Sequence, residues 1–263
     1  MPARLGRYVV RRRIGSGGFA TVWLAYDEQL DSPVAIKVLA DNWTEDHQIR
    51  QRFLEEGRYL RKVESPHVVS VYDAGELDDG RPYLVMSYAD QGTLADRLEV
   101  EGLSPAQAME VVRQVGAGLQ ALHDRDILHR DIKPANVLFR SVDGAEGPTV
   151  RAMVGDLGLG KSLDMSSRLT MVAGTPSYVA PEQAAAQSPD ARADQYSLAA
   201  LAFLLLTGRP PFAHASLAAA RHPGELAPVS TPERPFAPAV EQVLHRGLAR
   251  DRDERYPSVT EFV

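Results

Sequence analysis

The sequence predicts an α+β fold in two lobes: a small sheet-rich lobe carrying one helix, then a larger, mainly helical lobe. Three observations predict it. Over roughly the first 40 residues, apolar and β-branched side chains run as they do in strands: Tyr8-Val-Val, Thr21-Val-Trp-Leu-Ala-Tyr and Val34-Ala-Ile-Lys-Val-Leu. Residues 45–63 place Ile49, Phe53, Leu60 and Val63 at helical spacing. From residue 92 the pattern turns helical, and its longest apolar run, Leu198 to Leu206, reads as a helix buried on all sides.

Composition narrows the class. A chain of 263 residues with 44% hydrophobic side chains forms one large domain or two small lobes around a sizeable core. The net charge of −6 argues against a dedicated nucleic-acid binder. With no cysteine, disulfides and thiolate metal sites are excluded, which fits a reducing compartment. The opening MPARLGRYVVRRR lacks the apolar core of a secretory leader, and no apolar run reaches the roughly 20 residues of a bilayer span. The last residues, Glu261-Phe-Val, fall in a helical pattern, so the reading expects a truncated last helix and a longer protein anchored through a segment after residue 263. Arginine outnumbers lysine 25 to 4, which draws attention to where Lys37, Lys62, Lys133 and Lys161 fall.

Taken in order, the elements are these. Three strands lead into the helix over 45–63, where Glu56 lies on the apolar stripe seven residues from Ile49 and its neighbour Glu55 lies off it. A carboxylate on a buried face needs a cation, so Glu56 is expected to have one. Strands follow around His67–Asp73 and Tyr83–Tyr88, then an Asp90-Gln-Gly turn. Ser104-Pro-Ala-Gln is a capping box with proline at the first helical position, and Ala108, Val111, Val112, Val115, Leu119 and Leu122 form one apolar face behind it. Short strands are expected to flank a loop at Val142–Thr149, one of them covering Val150–Val154. Beyond about residue 183 helices alternate with proline-rich connectors, and 213–238 reads as loop with a short helix.

Two glycine-rich stretches compete as phosphate sites. Residues 155–162, GDLGLGKS, satisfy the P-loop pattern, but the following residues make a weak, serine-rich helix halted by Gly174-Thr-Pro, and no second strand ending in Asp lies downstream. Lys161-Ser162 is therefore read as loop. Residues 15–20, Gly-Ser-Gly-Gly-Phe-Ala, are followed by a β-branched, aromatic strand rather than a helix, and no acid lies near Ile36, which excludes a dinucleotide site. Strand, glycine turn, strand, then Lys37 on a third strand makes a flap over phosphates with an ammonium reaching in.

The decisive stretch is His129-Arg-Asp-Ile-Lys-Pro-Ala-Asn136, followed twenty residues on by Asp156-Leu-Gly and later by Ala180-Pro-Glu. Here the chain resembles the eukaryotic-type protein kinases, specifically the serine/threonine kinases of bacteria, over roughly residues 8–263. Singly, each charge in these motifs would be an ordinary solvated side chain; their order and spacing together carry the resemblance. It implies a protein-kinase-like fold filling 1–263, with a mainly antiparallel N-lobe (about 1–86), a hinge (about 87–92) and a helical C-lobe (about 93–263). Catalysis of phosphoryl transfer is chiefly positioning and charge neutralisation. The resemblance gives Asp131 the substrate hydroxyl and its proton, Lys133 the γ-phosphate, and Lys37 the α- and β-phosphates with Glu56 as its partner. Asn136 and Asp156 hold magnesium, which manganese can replace. The ATP site is drawn from Ile14, Gly15, Ser16, Gly17, Gly18, Phe19, Val22, Ala35, Lys37 and Leu138, with Met86 as gatekeeper and hinge backbone at Ser87, Tyr88 and Ala89.

The family usually has Phe where this chain has Leu157 and an acid where it has Ser87; both departures are expected to be tolerated. Lys133 and Gly174-Thr175-Pro-Ser-Tyr resemble the serine/threonine branch, with Thr175 helping to dock the acceptor. Arg130 is the expected socket for a phosphate on Ser166, Ser167 or Thr170, placed there by autophosphorylation. Glu182 is expected to pair with Arg255, and Asp194 with the backbone near His129. The implied partner is a protein carrying a Ser or Thr acceptor, with neither nucleic acid nor membrane contact in this segment; a homodimer through the N-lobe and a cytoplasmic location follow from the same likeness. The rival readings are a pseudokinase serving as a nucleotide-binding scaffold, against which Lys37, Asp131 and Asp156 are all present, and a small-molecule kinase, against which the Gly-Thr-Pro and Ala-Pro-Glu segments argue.

Overall fold

A computed structural model describes residues 3–144, 147–158, 176–212, 216–232 and 234–263. The chain divides into two units, Met1–Asp90 and Gln91–Val263, and the expected hinge straddles that division.

The first unit is a six-stranded antiparallel sheet with one helix. Its strands are β1 (Arg4–Leu5), β2 (Tyr8–Ser16), β3 (Ala20–Asp27), β4 (Ser32–Leu39), β5 (Val71–Glu76) and β6 (Pro82–Ser87), in the order β1-β2-β3-β4-β6-β5. Strand alternation sorts side chains onto two faces. One carries the buried cluster of Leu5, Tyr8, Val10, Ala25, Val34, Ile36, Val38, Tyr83 and Val85. The other carries Lys37 directly opposite Leu84. That face receives helix α1 (His47–Arg61), capped by Asp46, whose carboxylate accepts the amides of Gln48 and Ile49. The approach is close: a Cβ on Gly57 would come within 2.5 Å of the Leu84 side chain, which would have to move to admit it. The expected strand at His67–Asp73 begins later, at Val71. Pro66 sits in a turn, closed by the Val68 amide on the Ser65 carbonyl, which delays the strand.

The second unit is mainly helical. Helix α2 (Leu94–Val100) precedes α3 (Pro105–His123), whose Ser104–Gln107 capping box and six-residue apolar face form as the sequence predicts. Strands β7 (Val137–Gly144) and β8 (Gly147–Val154) make one hairpin. Its pairing continues through Val142↔Thr149 to Gly144↔Gly147, so the expected loop at 142–149 is instead the end of a longer ladder. Helices α4 (Pro181–Ala184), α5 (Ala191–Thr207), α6 (Leu217–Ala220), α7 (Pro238–Gly247) and α8 (Val259–Phe262) follow. Helix α5 is buried nearly all round, and α3, α7 and α8 pack against it. Gly247 of α7 meets Ala199 so closely that an added Cβ would lie 2.9 Å from it. Among the described residues, no helix is long and apolar enough to cross a membrane.

Candidate active site

In the first unit, register gathers the predicted nucleotide residues. Residues paired across antiparallel strands share a face. Val22 is opposite Lys37, and Ala35, two residues along β4, is opposite Met86, so these four line one side of the sheet. Ile14, Gly15 and Ser16 end β2, with Gly15 paired to Val22, and Gly17–Phe19 form the turn into β3, closed by the Gly17 amide on the Ala20 carbonyl (2.9 Å). The Lys37 ammonium donates to both Glu56 oxygens, at 2.8 and 3.0 Å, which answers the buried carboxylate on the helix stripe. The cause is local: Leu84 beside Lys37 packs on Gly57, which brings its neighbour Glu56 to the lysine. Ser87 points to the opposite face, where its amide donates to the Ser70 carbonyl and its Oγ accepts the Ser70 amide. Tyr88 and Ala89 follow it, half-buried.

In the second unit, the loop His129–Asn136 and the segment Gly155–Gly158 are laced together. The Asp131 carboxylate accepts from Asn136 Nδ2 (2.8 Å) and pairs with Lys133 Nζ (3.1 Å). Asn136 Nδ2 also donates to the Asp131 carbonyl (2.8 Å). The Gly155 amide donates to the Asn136 carbonyl (3.1 Å) and the Gly158 amide to the His129 carbonyl (2.8 Å), which sets Asp156 beside the loop. Leu157 is buried, and Leu138 lies on β7 opposite Met153.

His129 is fully enclosed, and its two nitrogens hold different partners. Nδ1 accepts the Asp131 amide (3.3 Å), so Nε2 carries the proton and donates to the Gly155 carbonyl (3.0 Å). Burial keeps this ring neutral and its pKa below the ordinary imidazole value, despite Asp194 and Asp131 nearby. Asp194 on α5 accepts the amides of His129 (2.8 Å) and Arg130 (2.7 Å) and lies 2.9 Å from His123 Nε2. Burial alone would raise its pKa, but His123, His129 and the Arg130 amide together hold it below the usual carboxylate range. Arg130 and Asp156 both adopt left-handed backbone, φ 66° and 55°, at a cost on the order of 1–2 kcal/mol each. The Asp194 bond to the Arg130 amide helps to hold the first of them.

Thr175, Ser166, Ser167 and Thr170 lie outside the described residues, as does Lys161. Sequence reading placed Asp194 against the backbone near His129 but missed His123, 71 residues away in sequence with no local signal linking the two. It also missed Gln183, whose Nε2 donates to the Arg130 carbonyl (3.3 Å). The Thr93–Asp96 capping box before α2 was legible from its spacing and went unread.

Comparison with known proteins gives the family. The family model described as "Protein kinase domain" matches residues 8–261. The serine/threonine-protein kinase PknF of Mycobacterium tuberculosis is 37% identical over 97% of this chain, which covers 54% of that protein. Serine/threonine-protein kinase Pkn1 of Myxococcus xanthus is 35% identical over 98% of this chain, which covers 38% of it. The chain thus spans about half or less of these relatives' length. Among solved structures, the Mycobacterium tuberculosis PknI kinase domain superposes with a TM-score of 0.73 at 28% identity, covering 98% of this chain and 94% of that one.

Proposed function

The chain belongs to the protein kinase family, in the bacterial serine/threonine branch, and on that premise we propose how its residues divide the work of moving the γ-phosphoryl group of ATP to a protein Ser or Thr hydroxyl. Asp131 takes the acceptor hydroxyl. As its oxygen bonds to the γ-phosphorus, the bond from that phosphorus to the β,γ-bridging oxygen breaks, ADP leaves, and the hydroxyl proton passes to Asp131. Lys133, 3.1 Å from the same carboxylate, neutralises charge on the moving phosphoryl group. Lys37 binds the α- and β-phosphates while Glu56 fixes its direction. The glycine loop covers the phosphates with backbone amides, and Val22, Ala35, Met86 and Leu138 contact the base, whose edge bonds to the backbone of Ser87–Ala89.

The observation that carries this reading is the orientation of Asn136. Its amide nitrogen is committed twice to Asp131, so its Oδ1 is the side turned to a ligand. A hard divalent cation wants such an oxygen, with Asp156 as the second protein donor and phosphate oxygens completing the shell. That donor set suits magnesium, and manganese as a substitute. When bound, the cation neutralises the β- and γ-phosphate oxygens.

Arg130 is the socket for a phosphate on Ser166, Ser167 or Thr170, and its buried Nε meets no hydrogen-bond acceptor among the described residues. Thr175 orders the acceptor side. Consumption of ATP puts the domain in the cytoplasm. The test is transfer of labelled phosphate from magnesium-ATP by the purified chain, with acceptor sites mapped by mass. Transfer should fall at least about 10³-fold in Asp131→Asn while the variant melts like the parent. Equal transfer by both would end the assignment.

A further inference from the structure

The glycine loop is held from outside itself. Gly17–Phe19 join β2 to β3, and the space where a Gly18 side chain would stand is open, with no atom within 4 Å of an added Cβ beyond its chain neighbours. Three contacts come instead from the segment after β4. The Ala40 amide donates to the Phe19 carbonyl (2.9 Å), and the Trp43 indole N–H donates to the Gly18 carbonyl (2.7 Å). The indole also stacks on the Phe19 ring, centroids 5.6 Å apart at 25°. Trp43 ends a single 3-10 turn, Asp41–Trp43, and its carbonyl accepts the amide of Asp46, the cap of α1. One residue therefore links the loop tip, through its side chain, to the start of the helix that carries Glu56, through its carbonyl.

We propose that Trp43 is a positioning residue for the glycine loop, fixing the tip in one conformation before the nucleotide arrives. Glycines lose more conformational freedom on ordering than any other residue. A tip already pinned loses less on binding, and the gain appears as affinity. The role rests on the nucleotide-binding reading above.

The test uses the Trp23→Phe background, in which Trp43 is the sole indole. Without nucleotide, Phe19→Leu should red-shift Trp43 emission and make it more accessible to acrylamide. Binding of magnesium with a non-hydrolysable ATP analogue should weaken about fivefold in Trp43→Phe, which keeps the stack and loses the hydrogen bond. It should weaken about tenfold or more in Trp43→Ala. KM for ATP should rise in parallel, with kcat nearly unchanged and melting temperatures of the Trp43→Phe variant and its parent alike. Wild-type affinity in Trp43→Ala, or emission indifferent to Phe19→Leu, would overturn the proposal. If the folded parent binds no nucleotide, the nucleotide reading falls and the role falls with it, whereas the apo emission shift reports the latch independently.

Discussion

Each unit buries a glutamate against a cation, and the two pairs are built differently. In the second unit Arg255, its side chain fully enclosed, holds both oxygens of Glu182 at 2.7 and 2.9 Å. Its remaining donors reach the carbonyls of Ala249, Arg192 and Arg250, and its guanidinium lies over the Tyr196 ring. Every N–H of the fork has an acceptor, which is what makes a buried charge tolerable. In the first unit Lys37 meets Glu56 with a compact ammonium and both side chains keep some exposure, 12% and 8%. The guanidinium pair is a strut whose geometry is over-determined. The ammonium is a compact charge on a flexible stem, as suits a group that must also meet a ligand.

Exchanging the two cations breaks the comparison most sharply. Arg255→Lys offers three donors to five bonds, leaving at least two buried acceptors unmet at roughly 1–3 kcal/mol each. Its denaturation midpoint should fall markedly. Lys37→Arg keeps a cation that can pair with Glu56, so its stability loss should be smaller than that of Arg255→Lys, while phosphate transfer drops on the order of 10²-fold or more. Urea denaturation and transfer assays on both proteins check this, and a transfer loss confined to Arg255→Lys would invert the assignment.

What the sequence let one read, and what it hid, follows the same division between local and distant causes. Alternation along β3 and β4, the stripe on α1 and the Ser104 box are local patterns, and each appears where periodicity puts it. Glu56 was flagged because a carboxylate on an apolar stripe is a local contradiction. The late start of β5 came from the turn at Pro66, and the long β7–β8 ladder passed through Asp-Gly and Gly-Pro pairs that ordinarily mark a turn. His123 beside Asp194 and Trp43 over Phe19 are meetings of residues far apart in sequence. Nothing at either position alone announces its partner. The site's acidic and basic members were named through motif resemblance, whereas the amide orientation of Asn136 needed coordinates.

The strut and the buried carboxylate of α5 should also part company with pH. Arginine stays charged across the accessible range. His129 is held neutral by burial, its pKa below the ordinary value of about 6.5, so below that pH the unfolded chain takes up a proton that the folded chain refuses. Stability is then full at higher pH and declines as pH drops. Asp194, with a depressed pKa, adds a second loss in the same direction, present above the usual aspartate range and fading as pH falls below it. Urea unfolding between pH 8 and 5.5 should show a slope approaching about 1.4 kcal/mol per pH unit at its acid end. In His129→Gln that slope should flatten, even if the variant is less stable throughout. An unchanged slope would assign the proton elsewhere.

The smallest effects separate charged from neutral partners at two helix starts. Ser104 Oγ accepts the Gln107 amide and the Gln107 side chain accepts the Ser104 amide, with no ionisable group involved. Thr93 and Asp96 make the same box before α2, but Asp96 accepts both the Thr93 amide and its hydroxyl at 2.8 Å, and these bonds lower its pKa. Either threonine or serine replaced by alanine should cost about 1 kcal/mol at neutral pH. Because Asp96 gives up its bonds on protonation, the Thr93→Ala penalty should shrink as pH falls through and below the ordinary aspartate range, while the Ser104→Ala penalty stays level. Paired unfolding curves at pH 7 and pH 4 measure both, and equal pH dependence in the two variants would mean the charge on Asp96 contributes nothing to its cap.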